Sequence, residues 1–213
     1  MDSSQLLASG VQQLNINADS EQLSLLLQFV TLLQKWNKTY NLTAIENTDE
    51  IISKHILDSL SVAKHVDGKN IIDVGSGAGL PGIPLAIIFR NKQFTLLDSN
   101  VKKTRFIQQA AIDLRLKNVQ VIHQRVEDFY PTPQAPKKFN TLVSRAFTTS
   151  DRLFADCEEI LKHLKEKGRI IFMLGKQKQL GALPNRYNMV DSYSIKIPRL
   201  EAQRHIAIVQ KTG

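Results

Sequence analysis

Apolar residues in this chain recur with two different periods, and the change from one to the other divides it. From Ser20, the residues Leu23, Leu26, Leu27, Val30 and Leu33 are spaced three or four apart, which predicts a helix with Ser20 as its N-cap and Trp36 near its end. The stretch WNKTYNLTAI (36–45) breaks the period. Thr48, Asp49 and Glu50 then open a second helix expected to reach Val66, with Ile52, Ile56, Leu60 and Ala63 inward and Gly68 past its end. From Asn70, short β-branched runs at 70–74, 93–98, 119–123, 140–144 and 169–174 alternate with helical patterns. The clearest of these helices, Val101 to Leu116, is capped by Asn100 and turns Phe106, Ile107, Ala110, Ala111 and Leu114 to one side. Parallel strands need such crossovers, so the expected class is α/β, a doubly wound, mostly parallel sheet. Runs at 187–197 and 205–211 lack a helix between them and predict an antiparallel hairpin at the sheet edge. The expected organisation is a helical segment over 1–67 packing on a sheet domain over 68–213.

The stretch Asn70 to Pro84, NIIDVGSGAGLPGIP, is the chemical centre of this pattern. A buried strand carrying one acid, Asp73, runs into Gly75, Gly77, Gly79 and Gly82. Glycine admits positive φ and lets a ligand approach the peptide groups, at an entropic cost. A literal G-x-G-x-x-G occurs at Gly77, Gly79 and Gly82, the dinucleotide fingerprint. Its register is wrong for a pyrophosphate. Counting from Gly75, the first glycine after the strand, Leu80 falls where the third glycine belongs. Pro81 and Pro84 lie where the phosphate-binding helix would begin, and proline has no N–H to offer. The register acid-x-G-x-G-x-G instead suits S-adenosylmethionine. Asp73 would orient the methionine ammonium or a bound water, the glycines would make room for the amino-acid part, and Asp98, ending the second strand, would accept the ribose hydroxyls. Val126, after the third strand, would pack on the adenine, with Glu127 near its amino edge.

Composition narrows the partner. The 213 residues carry a formal charge of +8, which points toward a polyanion. One cysteine, Cys157, excludes an internal disulfide framework, and no Cys/His spacing suggests a metal. MDSSQLLASG lacks the form of a secretory signal and no run is long enough to span a membrane, so a soluble cytoplasmic protein is expected, with a monomer favoured.

Ser144-Arg145-Ala146-Phe147 ends the fourth strand, at the edge where open α/β sheets place ligands. Pyrimidine C5 methylation needs a nucleophilic cysteine, whereas Cys157 sits in the helical pattern DCEEIL. The Asn/Asp-Pro-Pro-aromatic turn that serves exocyclic adenine amines is absent there. Guanine N7 presents an in-plane lone pair and no proton to remove, so positioning suffices, a contribution on the order of 7–11 kcal/mol. Arg145 is the candidate for holding a guanine edge or phosphate, and Phe147 for stacking on a base or packing in the core.

NLTAI (41–45), HILDSL (55–60), DVGSGAGLPGIPLAI (73–87), LLDSNVKKTRF (96–106) and SRAF (144–147), in this order, closely resemble the methyltransferase G family of small-subunit ribosomal RNA, formerly called glucose-inhibited division protein B. The resemblance spans Leu23 to Lys211. It implies a class I methyltransferase fold and methyl transfer from S-adenosylmethionine to N7 of one guanine of bacterial 16S rRNA near the decoding centre, on naked rRNA or a small-subunit precursor. By similarity, cofactor contacts fall on Gly75, Leu80, Val126, Glu127 and Arg145, and Asn37, Asn41, His55 and Asp58 form an active-site rim. His55 and Asp58, three apart, share a helix face and would pair with each other, neither acting as a general base. Where the family reads Leu-Lys-Gly near the fifth strand's end, this chain has Met173-Leu174-Gly175-Lys176, with Lys176 as the compensating cation. Lys102, Lys103, Arg105, Arg199 and Arg204 are further candidates for RNA phosphates. Two other readings remain open, a methyltransferase acting on a small molecule and an NAD-dependent oxidoreductase.

Overall fold

A computed structural model describes residues 2–133, 135–145, 150–174, 180–198 and 204–212. Two long helices lead the chain, α1 (Ser3–Gln13) and α2 (Ser20–Tyr40). The N-cap of α2 is Asp19 and not Ser20: its carboxylate accepts from Gln22 N–H while the Gln22 side chain accepts from Asp19 N–H, a reciprocal box that satisfies two otherwise orphaned donors. The helix also runs a turn beyond Trp36, to a left-handed cap at Asn41. Within the helical segment expected over 1–67 the bounds of α1 are not delimited; Leu6, Leu7, Gly10 and Val11 bury one side of it.

The predicted second helix is interrupted. Thr48–Ile51 (α3) passes into a π-helical stretch at Ile52–Leu57, then Asp58–Leu60 (α4), and a separate 3₁₀ turn follows at Ala63–His65. Five of the six π residues are buried, more than one stripe of a regular helix could turn inward. The wider turn also moves Asp58 off the face of His55, so the pairing expected from their spacing is not made.

Seven strands then build one sheet in the order β3-β2-β1-β4-β5-β7-β6. These are β1 (Asn70–Val74), β2 (Gln93–Asp98), β3 (Val119–His123), β4 (Phe139–Ser144), β5 (Leu164–Leu174), β6 (Tyr187–Ile195) and β7 (Arg204–Lys211). The first five pair in parallel, and β7 is antiparallel to both β5 and β6. The hairpin is therefore present, but its second strand inserts beside β5 and leaves the largely exposed β6 as the edge. Between strands lie α5 (Gly82–Ile88), α6 (Val101–Asp113), α7 (Ser150–Asp156) and α8 (Glu158–Lys162). Asn100 caps α6 as expected, accepting from Lys102 and Lys103 N–H; the helix stops at Asp113, short of Leu116, because Arg115 takes positive φ.

Alternation along β1 sends Ile72 and Val74 to one face, against Leu153, Cys157 and Ile160 of the α7–α8 region. Ile71 goes to the other face, where the apolar sides of α1, α2, α5 and α6 join one continuous core. The helices of residues 1–67 thus pack on the sheet with no separate core of their own.

Candidate active site

The carboxyl ends of β1 and β2 hold the glycine loop. Gly75, Gly77 and Gly79 have φ of 70°, 58° and 77°, a region in which a side chain would be strained, so the loop's path depends on these glycines. Gly75 and Ser76 N–H donate to Leu97 O at 2.9 and 3.0 Å, which ties the loop to β2. Asp73 Oδ2 accepts from Gly82 N–H at 2.8 Å, so the first N–H of α5 is already used by a carboxylate and a pyrophosphate has no claim on it. Asp73 Oδ1 is buried with no hydrogen-bond partner among the described residues; the Ser76 hydroxyl donates instead to the Asp73 main-chain oxygen. Burial pushes the Asp73 carboxyl up to about 7, against the lowering effects of Gly82 N–H and the Arg145 charge. An orphaned, desolvated carboxylate oxygen beside a glycine cradle calls for a cationic partner, and a cofactor ammonium is one.

Asp98 ends β2 with Oδ2 accepting from Gly77 N–H and Oδ1 from Asn100 N–H, both at 2.8 Å. These bonds fix its carboxylate at the mouth of a cavity of about 160 Å³ that Gly75, Asp98, Val126 and Glu127 line together. Val126 is half-buried and Glu127 exposed, an apolar wall with a polar edge suited to a nucleoside. Leu80 is buried in the core beneath the loop, so what it can offer a ligand is its main chain.

A second cavity, about 290 Å³, opens between α4, the end of β5 and the start of β7. His55, Asp58, Arg145, Met173, Arg204 and Ile206 are among its walls. Asp58 organises it. One oxygen accepts from Arg145 Nη1 at 3.3 Å and the other from Arg204 Nε at 3.1 Å, while the carboxylate is only 5% exposed. Residues 87 and 146 positions away in sequence are thereby locked to one side chain. His55 faces away from this bridge: Thr43 Oγ1 lies 2.7 Å from Nε2, and Nδ1 donates to Lys54 O at 3.1 Å, which fixes the neutral tautomer. Burial, then the Arg145 charge, pushes its imidazole down to about 4, so it is uncharged at neutral pH and keeps only the Nδ1 proton.

The remaining predicted residues divide sharply. Asn37 is buried, and its side-chain oxygen accepts from Thr43 N–H at 2.8 Å, which makes it a brace for the 41–45 loop. Asn41 is the exposed left-handed cap of α2. Lys102, Lys103 and Arg105 lie on the first turns of α6, with Lys102 and Arg105 exposed, next to the loop and not in either cavity. Leu174 is buried at the end of β5, opposite His205. Phe147, Lys176 and Arg199 lie outside the described residues. Met173, His205 and Ile206 escaped sequence reasoning because a strand's apolar run carries no mark of which residue ends at a cavity. Cys157 is buried on the opposite face, its thiol raised by burial, far from the form of an attacking thiolate. No cluster of three or more metal-ligating side chains occurs among the described residues, and none of their helices is long and apolar enough to cross a membrane.

Known proteins match this arrangement at two levels. Among solved structures, the magnesium protoporphyrin IX methyltransferase of Synechocystis, with S-adenosylmethionine bound, superimposes with a TM-score of 0.60 over 86% of this chain and 97% of its own, at 13% identity. TrmN of Thermus thermophilus gives 0.57 over 75% of this chain and 53% of its own, at 14% identity. These likenesses establish a class I methyltransferase fold. In sequence, the ribosomal RNA small subunit methyltransferase G of Nitrosococcus oceani is 44% identical over 203 residues, 94% of this chain and 92% of that protein. The protein of the same name from Hydrogenovibrio crunogenus is 47% identical over 190 residues, 88% and 85% of the two chains. The family profile described as rRNA small subunit methyltransferase G matches residues 22–207, and with relatives of this similarity along nearly the whole chain, the protein belongs to the GidB family.

Proposed function

We propose that the protein transfers a methyl group from S-adenosylmethionine to N7 of a guanine in bacterial 16S rRNA, near the decoding centre. The observation that carries the reading is the second cavity: its Arg145 also acts by charge on Asp73 at the glycine loop, and it offers guanidinium groups, a weakly basic imidazole whose Nε2 is engaged by Thr43, and a carboxylate already committed to two arginines. Such a site positions an acceptor and takes no proton from it. That suits a ring nitrogen with a lone pair, whereas an exocyclic amine or a ring carbon must lose a proton during transfer.

When bound, S-adenosylmethionine supplies an electrophilic methyl on a sulfonium. Asp73, with its orphaned oxygen, holds the cofactor ammonium, Asp98 accepts the ribose hydroxyls, and Val126 and Glu127 frame the adenine. Gly75, Gly77, Gly79 and Leu80 present main chain along the amino-acid part. Arg145 orients the guanine nucleotide on the far side, with Arg204, His55, Asn37 and Asn41 shaping the rim and Lys102, Lys103 and Arg105 meeting RNA phosphates beside α6. Asp58, paired with both Arg145 and Arg204, would keep their guanidiniums from opposing a purine that gains positive charge. The helical segment 1–67 supplies Asp58 and thus completes the acceptor side of the 68–213 domain.

Incubation of the protein with methyl-labelled cofactor and small subunits from a strain lacking it, followed by mass-spectrometric mapping, is expected to place the label on N7 of one guanine. Label on another atom, or in a low-mass acceptor, overturns the reading.

A further inference from the structure

Outside the two site cavities, a groove of about 600 Å³ runs between the end of α1, the turn after α4 and the end of β6. Its charged lining is Lys64, Lys92 and Lys196, and none of the residues that line it is acidic. Asn15 and Asn17 add neutral polar groups. Lys64 and Lys196 are exposed, with the Lys64 ammonium 4.6 Å above the centre of the Tyr193 ring. Lys92 donates to Gly68 O at 2.6 Å and forms part of the wall.

The groove adjoins the acceptor cavity. Ser61 lines both. Across the β6–β7 ladder Ile195 pairs with Arg204, so Lys196, the next residue, stands at the same end of the ladder as the arginine of the acceptor cavity. Arg145 and Arg204 in the acceptor cavity and Lys196 and Lys64 in the groove thus lie in neighbouring openings that share Ser61.

We propose that this groove is a track for the sugar-phosphate backbone of the RNA strand that carries the acceptor base, with Lys64 and Lys196 meeting successive phosphates. The proposal rests on the RNA reading above and extends it to a surface outside the reaction site. Phosphodiesters fit the charge, and a nucleotide seated in the acceptor cavity has its own flanking backbone at the point where the groove begins.

The test compares K64Q/K196Q with a charge-matched control, K165Q/K167Q, which alters exposed lysines at the start of β5, at the opposite end of the strands from the groove. Binding of a fluorescent single-stranded RNA is followed by anisotropy, and methyl transfer to small subunits by KM, each from 50 to 200 mM salt. The groove variant is expected to weaken RNA binding and raise subunit KM by about tenfold, and to flatten the log–log salt dependence by roughly 1–2 relative to wild type. Calorimetric affinity for S-adenosylmethionine should not change. A groove variant that behaves as the control does in both assays overturns the proposal. So does a rise in subunit KM with RNA binding intact, which would assign the groove to an acidic protein segment. If wild type transfers methyl to neither rRNA nor subunits, the acceptor reading fails, and the anisotropy result still decides the groove.

Discussion

Replacing Asp58 by asparagine keeps the shape of the side chain but removes its charge and one of its two accepting oxygens. A charge-assisted hydrogen bond contributes about 1.5–3 kcal/mol, and deleting one member of a buried ion pair costs about 3–5 kcal/mol. Here the carboxylate is 5% exposed but its partners, Arg145 and Arg204, are 27% and 25% exposed, so water can solvate the abandoned guanidiniums. The expected cost of Asp58→Asn is therefore lower, about 2–3 kcal/mol, equivalent to roughly 5–10 °C in melting temperature for a chain of this size. Denaturant titration should show a lower midpoint at unchanged slope. Function should suffer separately, because Arg145 loses the contact that aims it: kcat/KM for small subunits is expected to fall about 10- to 100-fold, with cofactor affinity far less affected. The double variant Asp58→Asn with Arg204→Gln should be less damaging than the sum of the two single changes. A variant within about 0.5 kcal/mol of wild type and within twofold in kcat/KM would refute the bridge as the organiser of the cavity.

Three further outcomes follow from the geometry. Gly77→Asp forces a side chain onto a residue with φ of 58° and brings a second carboxylate to the Gly77 N–H that Asp98 accepts, so calorimetry should detect no cofactor binding; unchanged affinity would displace the cradle from this loop. His55, held at about 4 when folded against 6.5 for the free side chain, leaves the unfolded chain binding the extra proton, so stability should decline as pH falls from 6.5 to 4, and His55→Gln should remove that part of the decline in pH-dependent melting. Asp73 has the opposite sign: with its folded value raised from 3.8 to about 7, the folded protein holds the extra proton between them, and stability should fall as pH rises through that window. A cationic ammonium beside Asp73 favours the carboxylate, so S-adenosylmethionine binding at pH 6 should release protons, seen as a dependence of the binding enthalpy on buffer ionisation, and Asp73→Asn should abolish that release.

The parallel half of the sheet was legible because each of its strands holds a short apolar run next to a helical period, although β5 begins at Leu164, five residues before its apolar run. Asn100 and the glycines declared themselves for the same local reason: one residue's backbone needs fixed its type. α1 carried a readable Leu6, Leu7, Val11 spacing but has no side-chain cap hydrogen bond, which leaves its start unmarked. The insertion of β7 between β5 and β6 depends on pairing across distant sequence, and adjacency of two strand-like runs says nothing about which of them meets the sheet. The π-helical stretch reads as an ordinary helix, so the sequence paired His55 with Asp58 where the fold sends them to different partners.

That last difference separates the two halves of the site. The cofactor half is built from residues close together in sequence, a strand end, a loop and the next strand's end, so a local motif records it. The acceptor half is built where a helix preceding the sheet meets the ends of β4 and β7, and its coherence comes from one carboxylate that reaches arginines 87 and 146 residues away. Arg145 belongs to both: it lies against Asp58 on one side and its charge lowers the Asp73 carboxyl on the other. A change in either acid therefore alters the electrostatic surroundings of the same guanidinium, which gives the chain a physical reason to keep a buried acid on each side of it and explains why the segment before the sheet is part of the site.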